Sequence, residues 1–509
     1  MWRDVDDPPG RQPTPGSDRV NPEVQFHTPC LAEADRFGET LHGGTRTFAM
    51  DSPAHPIHPH LSIHELLEGV ERNEIDTVLV VFPDLAGSWK GKRMTGRFFV
   101  DDTLEHGIEA CNYLIATDVE MNVLPDYRFA NWDAGYGDMR CVPDFATLRR
   151  IPWLEKTALV ICDLVDDNGP IEVSPRQILK RQLARAAAMG FTVKMGAELE
   201  FFLFKESFES AAAKGYANLT PDSNTIQDYH ILQTTKDEHI IRAIRNAMEG
   251  AGVPIECSKG EAGFAQHEIN LRYTEALEMA DRLAVYKNGA KEIAALSGRA
   301  ITFMAKYSMA DVGSSCHIHS SLWSADTGEP AAPGHGPHHL SDTFACYLAG
   351  MVATARELSW MFAPTVNSYK RYQLGSWAPT AVAWGRDNRT CGLRLVGHGS
   401  GTRVESRIPG ADANPYLAFA AVIAGGLHGI ENKLSLADPF VGNAYESKDV
   451  ARIPWNLVQA IELFEGSAVA KSAFGEEVHH HMLTTARHEW MQFNKAVTDW
   501  ELRRNFERW

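Results

Sequence analysis

Several common classes are excluded by what this chain lacks. Its 509 residues include only eight cysteines, widely spaced and without a C-x-x-C pair. That spacing argues against a disulfide framework and fits a reducing, cytoplasmic setting. No apolar run reaches the ~18 residues a membrane helix needs, and the opening MWRDVDDPPGRQPTPG has no signal-peptide core. Basic residues are the minority, 49 against 66 acidic, for a formal charge of -17. Nucleic acid and anionic membrane are therefore not expected partners. There is no G-x-x-x-x-G-K-[ST], and Gly399-x-Gly401 is too short to signal a dinucleotide fold. His267-Glu268 is not a zinc-protease motif, since Leu271 stands where the second histidine would be.

At 44% hydrophobic the chain has enough apolar material for a large core in two or more domains. Residues 1–58 are rich in Pro, Gly and His without helical or strand period, and read as a mobile extension. Periodicity begins at LSIHELLEGVERNEIDTVLVVF, a helix then a strand, and residues 59–155 fit a small α+β domain. Residues 156–509 form the larger remainder. Ser174-Pro175 opens a helix running towards Gly190, and Asn414-Pro415 opens another. His479, His480 and His481 fall on a helix, where consecutive side chains diverge, so they make a poor metal site.

Carboxylates dominate the rest. In KMGAELEFFLF, a strand-like run, period two puts Glu198 and Glu200 on one face. Unit charges ~4 Å apart repel by roughly 4 kcal/mol at an effective dielectric near 20, so the pair must protonate, spread or bind a cation. In KGEAGFAQHEINLRY, Glu261 and Glu268 flank a glycine-containing turn and can point into one cleft. In GSSCHIHSSLW, His317 and His319 alternate on a strand, one suited to a metal and one to a phosphate. In RVESRIPGADANPYLAFAA, Glu405 lies between Arg403 and Arg407. Oxygen-rich ligation with one imidazole suits magnesium or manganese. Taken singly, each phrase also reads as a solvated strand, a core histidine or a surface ion-pair ladder. A fifth phrase, Asn367 to Val396, carries Lys370, Arg371, Arg386, Arg389 and Arg394 interleaved with Trp377 and Trp384, as an anion-binding pocket wall would.

These phrases, in this order, resemble the signatures of the class I glutamine synthetase family of ATP-dependent carboxylate-amine ligases. The resemblance spans roughly Ile63 to the C-terminus. It implies an α+β protein with a small β-grasp-like N-terminal domain and a catalytic domain on a curved antiparallel sheet. It further implies two stacked hexameric rings with active sites between neighbouring subunits. Glu200, Glu261 and Glu268 would hold one metal, and Glu198, His317 and Glu405 another, in a set of two or three Mg2+ or Mn2+ ions. Tyr273, His319, Ser321, Arg394 and Arg403 match ATP contacts. Gly313, Arg371 and Arg407 match glutamate contacts, and Arg389 the residue that steadies the transferred phosphoryl group. The implied catalytic residues are Arg389, Glu268 and Glu405. The implied chemistry is phosphorylation of the glutamate γ-carboxylate by ATP, followed by displacement of phosphate by an amine.

Departures from the pattern bear on the amine. The family's flap glutamate, six residues after the NSYKR arginine, is here Trp377. The DGSS aspartate that binds ammonium has no counterpart in IEACNYLIATD, where Cys111, Asn112 and Tyr113 stand nearest, and Val312 replaces an asparagine before Gly313. An indole in place of an acid disfavours ammonium and offers a ring face to a substituted amine. ATDVEMN, YGDM, AWGRDNRTC and VTDWE also resemble ligases for ethanolamine, isopropylamine or aniline. The expectation is a γ-glutamyl-amine ligase for a monoamine, tilted towards a weakly basic or apolar one. A glutamine synthetase with an unorthodox ammonium pocket, and a silent scaffold member, remain the alternatives.

Overall fold

The computed structural model describes residues 60–509; the extension expected over residues 1–58 lies outside them. A capping box starts helix Ile63–Glu71: Ser62 Oγ accepts the Glu65 N–H at 3.2 Å, and the Glu65 carboxylate accepts the Ser62 N–H at 2.8 Å. The first sheet comprises β1 (Thr77–Pro83), β2 (Trp89–Thr95), β3 (Ile108–Cys111), β4 (Asp138–Arg150), β5 (Thr157–Asp166) and the short β6 (Gly169–Pro170). Its order is β2-β1-β5-β4-β3, with β6 on β5. β1, with the run Val78 to Phe82 buried, is central and pairs in parallel with β5. β2 is an edge whose Lys90, Lys92 and Arg93 discourage further strand pairing. The division expected at 155/156 falls between β4 and β5, neighbouring strands of this sheet.

The second sheet is built from β7 (Phe191–Phe204), β8 (Ile255–Gly260), β9 (Gln266–Glu275), β10 (Ala300–Thr302), β11 (Cys316–Ser324), β12 (Ala381–Arg386), β13 (Cys391–Val396) and β14 (Arg403–Ser406). The order is β12-β13-β14-β11-β7-β9-β8, with β10 also on β7. β7 gives its N-terminal part to β11 and Phe202 to Phe204 to β10, while a register shift between Met195 and Ala197 bends it against β9. Val193, Met195, Leu199, Phe201 and Leu203 enter the main core, which leaves the intervening Glu198 and Glu200 for the opposite face. The sheet is not wholly antiparallel: β12 pairs with β13 in parallel, and Asp387, which follows β12, has a φ of +51°.

The two sheets are tied together by a buried ion cluster. Arg176, on helix Pro175–Ala188, donates to Asp144 at 2.7 Å, Asp163 at 2.8 Å and Asp281 at 2.9 Å. Tyr416 donates to Asp281 at 2.6 Å from helix Pro415–Glu431. Two carboxylates thus come from the first sheet and one from helix Ala276–Leu296. Ser174 stands at the N-cap of its helix without a capping hydrogen bond, whereas Asn414 accepts the Tyr416 N–H at 3.0 Å. The three C-terminal histidines lie on helix Glu476–Lys495, and two of them find separate partners: His479 bonds the Phe464 carbonyl and His481 the Ile115 carbonyl.

Candidate active site

Strand register brings the predicted ligands together. Glu198 faces His317 across β7 and β11, Glu200 faces Glu268 across β7 and β9, and Glu405 faces His319 across β14 and β11. Glu198, His317 and Glu405 form one group, and Glu200, Glu268 and His317 another, with potential ligand atoms in each within 4.8 Å of one another. Glu261 takes a different position. Its carboxylate is in close contact with the Lys259 ammonium, which also lies 3.8 Å from Glu268 and 4.6 Å from the Tyr229 ring centre. Lys259 opens the Glu261 phrase, yet its charge announces no partner there, and Tyr229 lies in none of the phrases.

The cluster is electrostatically strained. Burial and Glu261 push the Glu200 carboxyl up to about 7; burial and Glu200 push Glu268 up to about 9. Glu200 is held by Ser315, whose N–H and hydroxyl donate at 2.9 and 2.5 Å, and by Gln266 Nε2 at 3.1 Å. Burial and Arg407 lower His317 to about 4, so its imidazole is neutral near pH 7 with a lone pair to share. Burial alone would raise Glu405, but His317 and Arg407 outweigh it and hold the group near 2. Carboxylates that oppose each other's ionisation beside a neutral imidazole fit a hard divalent cation.

A cavity of about 270 Å³ opens beside Glu198, walled by Lys194, Gly196, Tyr273, His319, Ser321 and Arg403 among others. Four of the five expected ATP residues thus line one space. Tyr273 is 54% exposed and leaves a ring face free, while Arg403 donates to His319 Nδ1 at 3.2 Å. The fifth, Arg394, lies outside it: it donates to Glu405 at 2.8 Å and contacts Asp387. Ion pairing with two carboxylates draws it away from the cavity.

The remaining arginines divide by burial. Arg371 is buried and donates to the Ile408 and Arg407 carbonyls at 2.9 and 2.8 Å. Gly313 makes room for its stem, since a Cβ there would sit 2.6 Å from Arg371 Cγ. Arg407 donates to Glu405 at 2.5 Å and keeps a buried Nε without a partner. Arg389 is exposed. Of the two tryptophans in this segment, Trp384 is buried in the core, while Trp377 is 63% exposed with φ +64°. The Trp377 carbonyl accepts from Arg407 at 3.5 Å. Cys111, Asn112 and Tyr113 follow one another at the end of β3 in the first sheet and line neither the cluster nor the cavity beside it. Asn112 Oδ1 is buried without a partner.

Comparison with known proteins agrees with this geometry. The family model described as glutamine synthetase, catalytic domain, matches residues 172–505. The γ-glutamylethanolamide synthetase GlnA4 of Streptomyces coelicolor is 52% identical over 451 residues, covering 88% of this chain and 96% of that protein. The glutamate-isopropylamine ligase of a Pseudomonas species is 40% identical over 440 residues, covering 86% and 96%. Among solved structures, a GmaS complex with ADP superposes with a TM-score of 0.77 at 28% identity, covering 87% of this chain and 99% of that one.

Proposed function

Because this chain belongs to the glutamine synthetase family, we propose that it is an ATP-dependent ligase joining the γ-carboxylate of L-glutamate to an organic monoamine. The products are a γ-glutamylamide, ADP and phosphate. The observation that carries this reading is Trp377: the flap position that would serve ammonia with a carboxylate presents an exposed indole. The two relatives described above are ligases for ethanolamine and isopropylamine, which supports a short alkyl monoamine; isopropylamine matches the apolar side of the expectation, and neither matches its weakly basic side.

The site would take two or three Mg2+ or Mn2+ ions: Glu198, His317 and Glu405 would hold one, and Glu200 and Glu268, with Glu261, another. Bound there, the cations neutralise the phosphates and the charge that develops on the transferred group. The chain's own residues do the positioning. Tyr273 stacks the adenine, with His319, Ser321 and Arg403 along the phosphates; Arg394 and Glu405 brace each other behind them. Arg371, Gly313 and the free Arg407 Nε receive glutamate, and Arg389 steadies the phosphoryl group in transit. The γ-glutamyl phosphate so formed is attacked by the neutral amine, and phosphate leaves.

An alkylamine arrives protonated and must lose a proton before attack. The Tyr229 ring already faces one primary ammonium, that of Lys259, 4.6 Å from its centre, and offers the same kind of face to an incoming alkylammonium. Cys111, Asn112 and Tyr113 of a neighbouring subunit close the amine pocket in a ring assembly of two stacked hexamers. Among the described residues no helix is long and apolar enough to cross a membrane. Mass spectrometry of a reaction containing ATP, Mg2+, glutamate and ethanolamine tests the assignment: γ-glutamylethanolamide should accumulate with ADP. Absence of any glutamyl conjugate across ethanolamine, isopropylamine and aniline would refute it.

A further inference from the structure

A second cavity, of about 710 Å³, is enclosed by the β1–β2 loop, helix Ala276–Leu296, Phe303, Trp360 and helix Glu476–Lys495. None of the six cluster residues lines it. Its volume falls in the range of small-molecule sites, about 300–1,000 Å³. Most of its acidic groups are already engaged. Asp84 pairs with Lys90 at 3.2 Å, Asp118 with His488 at 3.4 Å, Asp412 accepts from Ser368 Oγ at 2.6 Å, and Glu489 accepts the Val366 N–H at 3.1 Å.

Two cations in the wall are not engaged in this way. Lys287 and Lys291, one turn apart on the same helix face, both reach over the Phe303 ring, at 5.7 and 5.8 Å from its centre. Lys287 donates to the Ala413 carbonyl at 3.3 Å. Among the described residues neither ammonium lies within ion-pair distance of a carboxylate; burial lowers both, Lys287 to about 8, against the weaker pull of Asp84 on each. Two unpaired ammonium groups facing a half-enclosed space beside Trp89, Phe303 and Trp360 form a site for an anion with an apolar body.

We propose that this cavity is a second ligand site that takes a small organic carboxylate, its charge between Lys287 and Lys291 and its body against Phe303 and the two tryptophans. The site has a route to the catalytic side. Asp412 lies in its wall and accepts from Ser368, the first residue of the turn Ser368–Arg371 that carries Arg371. Occupancy is thereby linked to the glutamate-binding arginine.

The test is fluorine NMR of 4-fluorophenylacetate with the full chain, without nucleotide or metal. The expected result is saturable broadening, weakened about tenfold or more by Lys287→Met and by Lys291→Met. Binding should be kept within about threefold in Lys291→Arg, which retains the charge and shows that the loss in Lys291→Met is not misfolding. It should also persist in Arg371→Met. No saturable binding, undiminished binding in either Met variant, or loss in Arg371→Met would overturn the proposal. So would displacement of the probe by an equal concentration of inorganic phosphate, or a change of assembly size in Lys291→Met by light scattering, which would make the cavity a subunit contact.

Discussion

Glu200 and Glu268 stand directly opposite each other in the β7–β9 ladder, both buried; Glu200 raises the proton affinity of Glu268, while Glu261 raises that of Glu200. Their folded-state pKa values, about 7 and about 9, lie above the ordinary 4.5. Stability associated with them is therefore complete below about pH 4.5 in metal-free protein and is lost as pH rises through about 7 and then about 9. In EDTA the melting temperature should fall over that interval, and the gain on adding Mg2+ should grow over the same interval. Calorimetry at stepped pH measures both. A metal-induced gain that is flat with pH would show that the pair does not bind the cation.

Trp377 is where amine choice should be most easily changed. Replacing the indole removes a cation-π face worth about 0.5–2 kcal/mol and, in Trp377→Glu, supplies an acid for ammonium. Preference should move towards ammonia by roughly 2- to 30-fold in kcat/KM. An unchanged amine profile would reject Trp377 as a specificity residue.

Tyr273 offers an open ring face in the cavity beside Glu198. Base stacking on an aromatic is worth about 1–3 kcal/mol, so Tyr273→Ala should raise the KM for ATP by roughly 5- to 100-fold. The KM for glutamate should stay within about twofold. Parallel losses for both substrates would point to a disturbed strand rather than a lost stacking partner.

Arg176 is buried and contacts three carboxylates, the buried Asp281 and the half-buried Asp144 and Asp163, joining the first sheet to helix Ala276–Leu296. Removing one partner of such a buried group costs about 3–5 kcal/mol because the others are left uncompensated. Arg176→Met should lower unfolding stability by that amount in urea titrations. A loss under about 1 kcal/mol would mean that water enters and solvates the three aspartates.

Much of the site was legible because strand period fixes which residues share a face. Glu198, Glu200, Glu268, His317 and Glu405 converge as their phrases predict, since each lies on a strand or ladder of one sheet. What the sequence could not convey is competition among charges. Lys259 pairs with Glu261, and Glu405 with Asp387 holds Arg394 outside the nucleotide cavity, because a carboxylate pairs with the nearest cation whatever its place in the chain. Long-range pairing was hidden in the same way. Nothing local announces that β5 joins β1 in parallel across the expected boundary at 155, or that β12 pairs with β13 in parallel. The helix at Asn414 was readable from its cap, while Ser174, with the same signal, forms no capping bond.

The most direct test is the ratio of kcat/KM for ethanolamine to that for ammonia, measured by ADP release at saturating ATP, Mg2+ and glutamate. The account predicts a ratio well above one for ethanolamine or another short alkyl monoamine. A ratio below one for every organic amine tried would contradict it and make the chain a glutamine synthetase.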